Sequence, residues 1–388
     1  MLITKSNIFL IGPVAVVLGY IMNGIFWAQS QIGIENIGLC IILFTIVIYM
    51  LMTPLTIQQQ KFSRLSAKMN PELQAIQKKY KGKKQDQEVV AKMNEETQAV
   101  YAKYGVNPMG SCVQLIIQMP ILFALYRVIW NVPAYVDKVK AAFDALSQVL
   151  MNTAGAEAYL TEVASVQRIS FPQMDVNTII DVLYKFKPAD WAALTEKFPA
   201  LTDTIASTQS NVDRMNYFLG LNIADAPMSI MTTAFQSGAI LMAIGALAIP
   251  VLAAVTQWLN AKLMSSANPT SGNGENGSVE STMKTMNTVM PLMSAVFCLS
   301  LPVGLGIYWI AGAVVRSVQQ LIINKQIDKM DLDEVVKKNL EKLNKKRVKQ
   351  GLPPQKMQDN AKISTKNINT SNNDNYVRKN VKADISKK

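Results

Sequence analysis

The chain has 388 residues, 49% of them hydrophobic, and carries a net charge of +12. Histidine is absent, which removes the commonest general base and the commonest metal ligand. Cys40, Cys112 and Cys298 all fall in apolar blocks without a C-x-x-C pair, so they imply no disulfide framework and are expected to pack as small apolar side chains. The apolar residues are bunched into blocks with the charges between them, as in an integral membrane protein.

The first block, residues 7–27, is preceded by Lys5 and is long enough to span a bilayer. Tyr20, Asn23 and Trp27 share one helical face. Two readings stay open, a spanning signal anchor and a helix lying in the outer interface. A cleaved signal peptide is disfavoured, because no small-x-small site follows at once.

The second block, residues 37–55, leads into a basic segment, 56–107, with ten Lys or Arg against five acids. The positive-inside rule places this segment in the cytoplasm. Phe62, Leu65, Met69, Leu73 and Ile76 recur at helical spacing, as do Val89, Met93, Val100 and Tyr104. A two-helix hairpin is expected, with its tip near Lys81-Gly82-Lys83. The third block, 107–130, carries Gln114 and Gln118 on one face. Lipid cannot satisfy two amides, so they must look into protein or water.

Residues 132–227 carry seven basic and eleven acidic side chains, a balance that fits the outside. Short helices are expected at 141–150, 179–186 and 191–198, building a small helical lobe read as a structural cap. The fourth block is 235–263, and a flexible Ser/Asn/Gly-rich loop follows at 265–278. The fifth block is 286–300, Leu301 to Gly304 make a tight turn, and the sixth block is 304–323. From residue 325 the tail has 17 basic and 8 acidic residues. It is expected to start helical (328–347) and to end disordered. Alternating crossings from the second block onward place the hairpin, the Ser/Gly loop and the tail all inside.

Polar residues form stripes within these blocks. Thr45, Tyr49, Thr53 and Thr56 share a face of the second block, and Ser111, Gln114 and Gln118 share one of the third. Thr256, Gln257 and Asn260 cluster in the fourth, and Asn287 and Ser294 lie seven apart in the fifth. Trp309, Gly312, Arg316 and Gln319 or Gln320 align in the sixth. One stripe reads as interhelical hydrogen bonding, worth about 1 kcal/mol per bond. Five stripes together suggest a shared hydrated cavity. Arg316 lies about 10 Å from the inner end of its helix, and no acid in any spanning block can pair with it. It either snorkels to headgroups or faces a wet groove. Arg127, near the outer end of its helix, is read as snorkelling.

Several runs resemble the YidC/Oxa-type membrane protein insertases. They are T-P-L-T and Q-Q-Q-K at 53–61, M-N-P-E-L-Q-A-I-Q-K-K-Y at 69–80, Tyr104-Gly105-Val106-Asn107-Pro108, Cys112 and Ile117-Gln118-Met119-Pro120-Ile121-Leu122. Met290-Pro291, Leu301-Pro302-Val303-Gly304-Leu305, Tyr308-Trp309 and Gln319-Gln320 resemble the family's last two helices. The resemblance covers about residues 10–130 and 218–325. It implies an all-α polytopic membrane protein of a bacterial plasma membrane, with a five-transmembrane-helix insertase core and a cytoplasmic helical hairpin.

The implied division is an N-terminal interfacial or spanning helix (1–30), core helices one and two with the hairpin 56–107 (31–131), and an extracytoplasmic helical insertion (132–227). Core helices three to five (228–325) and a basic cytoplasmic tail (326–388) complete it. The resemblance further implies a groove open to the cytoplasm and the lipid, lined by Thr45, Tyr49, Thr53, Gln114, Gln118, Trp309, Arg316 and Gln319. Its implied partners are nascent membrane proteins and membrane lipids, with the Sec translocon and the ribosome beside them. It implies no enzyme activity, nucleotide, metal or other cofactor.

In one respect the chain departs from the family pattern. Five residues before the proline of the P-L-T motif the family typically has arginine, and here that residue is Tyr49. Arg316 lies at nearly the same depth in the last helix, so the groove charge is expected to have moved from one helix to another. A small-solute transporter would instead predict internal repeats, and the halves show none, although Pro120, Pro250 and Pro291 are placed to kink helices. An intramembrane enzyme would need a histidine, a buried acid pair or G-x-S-x-G.

Overall fold

The computed structural model describes residues 11–81, 87–106, 110–267 and 291–349, with Phe9, Val289 and Gly351; of 110–115, 117, 118 and 264–267 it describes the backbone alone. Residues up to 332 form one compact unit and those from 333 a second.

The first unit is a bundle of apolar helices with a helical lobe at one end and a helical hairpin at the other. Helix α1 (Ile11–Gln31) buries Ala15, Leu18, Met22 and Phe26 against its neighbours, helix α2 (Ile37–Lys79) and helix α4 (Gly110–Trp130). Asn36 caps α2, its side chain accepting from the Leu39 N–H at 3.0 Å. Helix α2 has 43 residues and is unbroken through Pro54 and Pro71. At about 1.5 Å per residue it is roughly twice as long as the hydrocarbon is thick. It therefore crosses the membrane and continues as the first arm of the hairpin. The hairpin start expected at residue 56 falls inside this single helix, and Gly82 and Lys83 of the expected tip lie outside the described residues.

The second arm is α3 (Gln87–Tyr104). Glu72 joins the arms near the base, accepting from Lys103 Nζ at 2.8 Å and from the Tyr104 hydroxyl at 2.7 Å. Nearer the tip, Glu96 accepts from Lys79 and Tyr80.

After α4 the chain builds the lobe from α5 (Asp137–Met151), α6 (Ala156–Gln167), α7 (Val176–Leu183), α8 (Pro188–Lys197) and α9 (Thr202–Asn216). Phe143, Leu146, Leu150, Leu160, Ile179, Ile180 and Leu183 are fully buried and make its centre. The three expected helices correspond to α5, α7 and α8. The expectation did not include α6, α9 or the two-residue strands β1 (Tyr217–Phe218) and β2 (Leu221–Asn222), which pair antiparallel. The turn between the strands is Leu219-Gly220, with φ of 53° and 80°. Both residues are left-handed, as in a type I′ turn, a conformation costing an L side chain about 1–2 kcal/mol.

The lobe is clamped to the bundle at several points. Lys185 Nζ donates to the Trp130 carbonyl at 2.7 Å, at the last turn of α4. Asn23 Nδ2 donates to Asp137 at 2.7 Å. Glu35, between α1 and α2, pairs with Lys138 at 2.9 Å and Arg214 at 2.7 Å, and these cations hold its carboxyl below the usual range.

Residues 217–225 then cross the lobe end of the spans. Phe218 lies on Gly38 of α2, and Leu221 approaches Gly245 of helix α11 (Ile240–Ala267). The carbonyls of Ile223 and Asp225 accept from Gly304 and Val303, satisfying two orphan N–H groups at the start of helix α13 (Val303–Ile327). Burial, reinforced by Asp213 and Asp190 against the opposing pull of Lys187, pushes the Asp225 carboxyl up to about 6. A carboxyl raised by folding stabilises the fold when protonated, and that stability is lost as pH rises from about 4 through about 6. Asp225→Asn keeps the shape without the charge. It should therefore raise the melting temperature at pH 7 and change it little near pH 4, measured by thermal unfolding in detergent.

Helix α10 (Pro227–Ser237) leads from the lobe into α11. Helix α12 (Pro291–Ser300) and α13 are joined by Leu301-Pro302; the turn expected over 301–304 is shorter, because Val303 and Gly304 already belong to α13. Helix α13 packs on both α11 and α2. Among the described residues α1, α2, α11 and α13 are long and apolar enough to cross a membrane. The chain is an all-α polytopic membrane protein.

The second unit contains nearly all of α14 (Leu332–Lys349), a charged helix in which Val336 and Leu340 are buried. Its last turn carries Lys346, Arg347 and Lys349, which suits the negative end of the helix dipole. The Ser/Gly loop, except for its first residues, and the tail end expected to be disordered lie outside the described residues.

Candidate functional site

Tyr49 is twelve residues into α2 and Arg316 is thirteen into α13, counted from the lobe ends of the two helices. At about 1.5 Å per residue both lie about 18–20 Å down their helices. Because α2 and α13 pack together, this shared level brings the two side chains into contact.

Arg316 Nη1 donates to the Tyr49 hydroxyl, and its guanidinium carbon stands 5.2 Å from the Tyr49 ring centroid. Arg316 Nη2 donates to Gln257 Oε1 of α11 at 3.3 Å. One turn along α13, Gln319 Nε2 donates to the Tyr49 carbonyl at 2.8 Å and to Thr53 Oγ1 at 3.0 Å. The Thr53 hydroxyl also donates to the Tyr49 carbonyl, at 3.1 Å. Just beyond this cluster Pro54 lacks the N–H that would close on the carbonyl one turn back, which leaves α2 locally richer in acceptors.

Space for this contact comes from Gly312. A Cβ at that position would sit 3.1 Å from Tyr49 Cε2, 3.2 Å from its hydroxyl and 3.5 Å from Arg316 Nη1. Tyr308, one turn nearer the lobe, lies against Tyr49 and is itself buried.

Toward the hairpin end the polar contacts continue. Gln60 Nε2 donates to Gln320 Oε1 at 2.8 Å, and Gln320 Nε2 donates to Asn324 at 2.7 Å. Arg64 pairs with Asp328 at 2.9 Å, fastening the base of the hairpin to the end of α13. The oxygens Gln319 Oε1, Gln60 Oε1 and Asn260 Oδ1 are buried without a donor among the described residues. Each such acceptor costs about 1–3 kcal/mol unless something donates to it.

This arrangement is a cation held in an apolar bundle by a hydroxyl, an amide oxygen and a π face, with no carboxylate in the spans to neutralise it. The array can present positive charge and hydrogen-bonding groups at membrane depth. Among the described residues no group of three or more His, Cys, Asp and Glu could hold a metal ion.

A family model described as "60Kd inner membrane protein" matches residues 27–331. The chain belongs to this family. Similar proteins include "Membrane protein insertase MisCA" of Bacillus subtilis, 36% identical over 28% of the chain and 41% of the relative. "Membrane protein insertase YidC" of Alkalihalophilus pseudofirmus is 34% identical over 37% of the chain and 58% of the relative. "Membrane protein insertase YidC 1" of Streptococcus agalactiae is 39% identical over 32% of the chain and 51% of the relative. The matched stretches thus span about half the length of these relatives.

The structure brings Tyr49, Thr53, Arg316 and Gln319 together. Thr45 lies one turn from Tyr49 but is fully buried and donates back to the Ile41 carbonyl of its own helix at 2.6 Å. Trp309 is half-buried and packs with the apolar core. Gln114 and Gln118 lie on α4, and their side chains are outside the described residues. Sequence reasoning placed Gln257 in a stripe without joining it to Arg316, and it missed the Gln60–Gln320 bond and Tyr308. Helical periodicity shows which face a residue shares on its own helix, whereas partners on other helices depend on how the bundle packs.

Proposed function

We propose that the chain is a membrane protein insertase, the activity for which its relatives are named. The hairpin end of the bundle and the basic tail face the cytoplasm of a bacterial cell, and the lobe faces outward. Hydrophilic segments of nascent membrane proteins enter a polar groove from the cytoplasm. Their apolar segments then pass into the lipid. The reaction uses no nucleotide or metal.

The observation that carries this reading is the Arg316 cluster, an acid-free cation at membrane depth joined to Tyr49 and Gln257, with Gln319 bonding the Tyr49 carbonyl beside it. The buried acceptors of Gln60, Asn260 and Gln319 on the hairpin side support a wet approach to it from that end. Moving a polar segment across about 30 Å of hydrocarbon is costly, and a hydrated recess reaching partway in shortens that path. The membrane potential then acts on the segment's charges over the remaining distance. Thr45, Trp309, Gln114 and Gln118 complete the proposed groove. The Sec translocon and the ribosome are its proposed partners in the cell.

Depletion of the protein in its own cell, followed by protease treatment of spheroplasts, tests the proposal. A small single-span substrate should lose protease accessibility of its outer tail on depletion and regain it when the protein is restored. Unchanged accessibility would overturn the reading.

A further inference from the structure

The hairpin of β1 and β2 is placed where a soluble turn has no reason to be apolar. Phe218 rests on Gly38, in the first turn of α2, where the apolar span begins. Its pair mate Leu221 approaches Gly245, inside the apolar run of α11. Both strands therefore lie at the hydrocarbon boundary on the lobe side. Between them Leu219 is 84% exposed, as exposed as the lipid-facing candidate Leu241 of α11.

The turn itself adds an independent observation. Leu219 has φ of 53°, the conformation that favours Asn, Asp or Gly. Neither backbone preference nor contact among the described residues explains a leucine there. A large apolar side chain at a strained position is accounted for by a partner outside the chain. Continuity with the apolar faces of α2 and α11 identifies that partner as the bilayer.

We propose that the 217–222 hairpin inserts Leu219 into the leaflet on the lobe side and so anchors the lobe to lipid. Phe218 and Leu221 hold the hairpin on the bundle, and Leu219 extends from it past the protein surface. Tyr217, 42% exposed, supplies an aromatic of the kind enriched at membrane interfaces. The lobe is then tethered through the hairpin to the lipid beside α2 and α11, as well as to the bundle through its polar clamps.

The test uses the full chain, with its three cysteines replaced by alanine, reconstituted in phosphatidylcholine vesicles. A nitroxide is attached at Leu219→Cys and, in separate samples, at Leu241→Cys and Val166→Cys. Val166 is 80% exposed on α6, which packs on α5 and α7, and serves as the aqueous reference. Oxygen should reach the label at 219 more readily than a water-soluble nickel complex does, as at 241, with the order reversed at 166. A label at 219 that behaves as at 166 overturns the proposal. So does one shielded from both quenchers, which would indicate a second copy of the chain as the partner. As a check without substitution, the unmodified chain in vesicles containing a diazirine-bearing phosphatidylcholine should carry lipid adducts within residues 217–222. Adducts confined to the spans would overturn it.

Discussion

Arg316→Gln should reduce insertion of a substrate with an acidic outer tail by about 10- to 100-fold, and adding Tyr49→Arg should restore much of it. The size follows from a charge-assisted hydrogen bond, which contributes about 1.5–3 kcal/mol. The rescue follows from geometry. The Arg316 guanidinium lies on the Tyr49 ring and bonds its hydroxyl, so a cation from position 49 would start from the same place on the neighbouring helix. Tyr49→Arg alone should destabilise the protein, because it sets two cations side by side in an acid-free bundle. Substrates with uncharged outer tails should be far less affected by any of these changes. The measurement is protease protection of paired acidic and neutral substrates in vesicles containing each variant. If Arg316 only holds helices together, Arg316→Gln will slow both substrates equally, in step with a lower melting temperature, and Tyr49→Arg will not rescue it.

Much of the architecture is legible in the sequence because membranes enforce length and polarity. The apolar blocks had to be helices, since lipid allows only helices and closed barrels, and barrel strands alternate polar and apolar over about 10 residues. The depth match between Tyr49 and Arg316 was also readable, because rise per residue converts sequence position into depth. Their contact was not, because it requires α2 and α13 to be neighbours and Gly312 to leave room between them. Thr45 shows what spacing alone leaves open. Its spacing places it on the polar stripe, yet its hydroxyl bonds the carbonyl one turn back, as a threonine buried in a helix readily does.

The expected hairpin start at residue 56 falls within α2 and not at the end of a helix. Composition changes sharply there, from apolar to basic, and such a change marks the edge of the membrane rather than the end of a helix. Helix α2 is continuous through Pro54. In the lobe, α6 and α9 were missed, as was the hairpin, whose Leu-Gly turn carries only half of the usual Asn-Gly signal.

Gly306→Val should destabilise the bundle by about 3 kcal/mol and carry insertion activity down with it. Helices in lipid associate through close packing, and small residues are where their backbones approach. At Gly306 a Cβ would collide with Ile249 of α11 and lie 2.7 Å from Cys298 Sγ of α12. Neither wall yields easily, since Ile249 is β-branched and stiff and Cys298 is 1% exposed. Overpacking a single wall typically costs about 1–3 kcal/mol, and two walls at once place this site at the top of that range. Ile249→Ala removes one wall and should recover part of the loss in a Gly306→Ala background. Gly24→Ala in α1, where an added Cβ meets no neighbouring element within 4 Å among the described residues, should instead be neutral or stabilising by about 0.5–1 kcal/mol from helix propensity. Thermal unfolding in detergent orders the three variants. The coupling to insertion arises because Gly306 and Arg316 share one helix, α13. Pushing its lobe end away from α11 shifts Arg316 off Gln257 and Tyr49, so the ion-like contact at depth loosens through a collision three turns away.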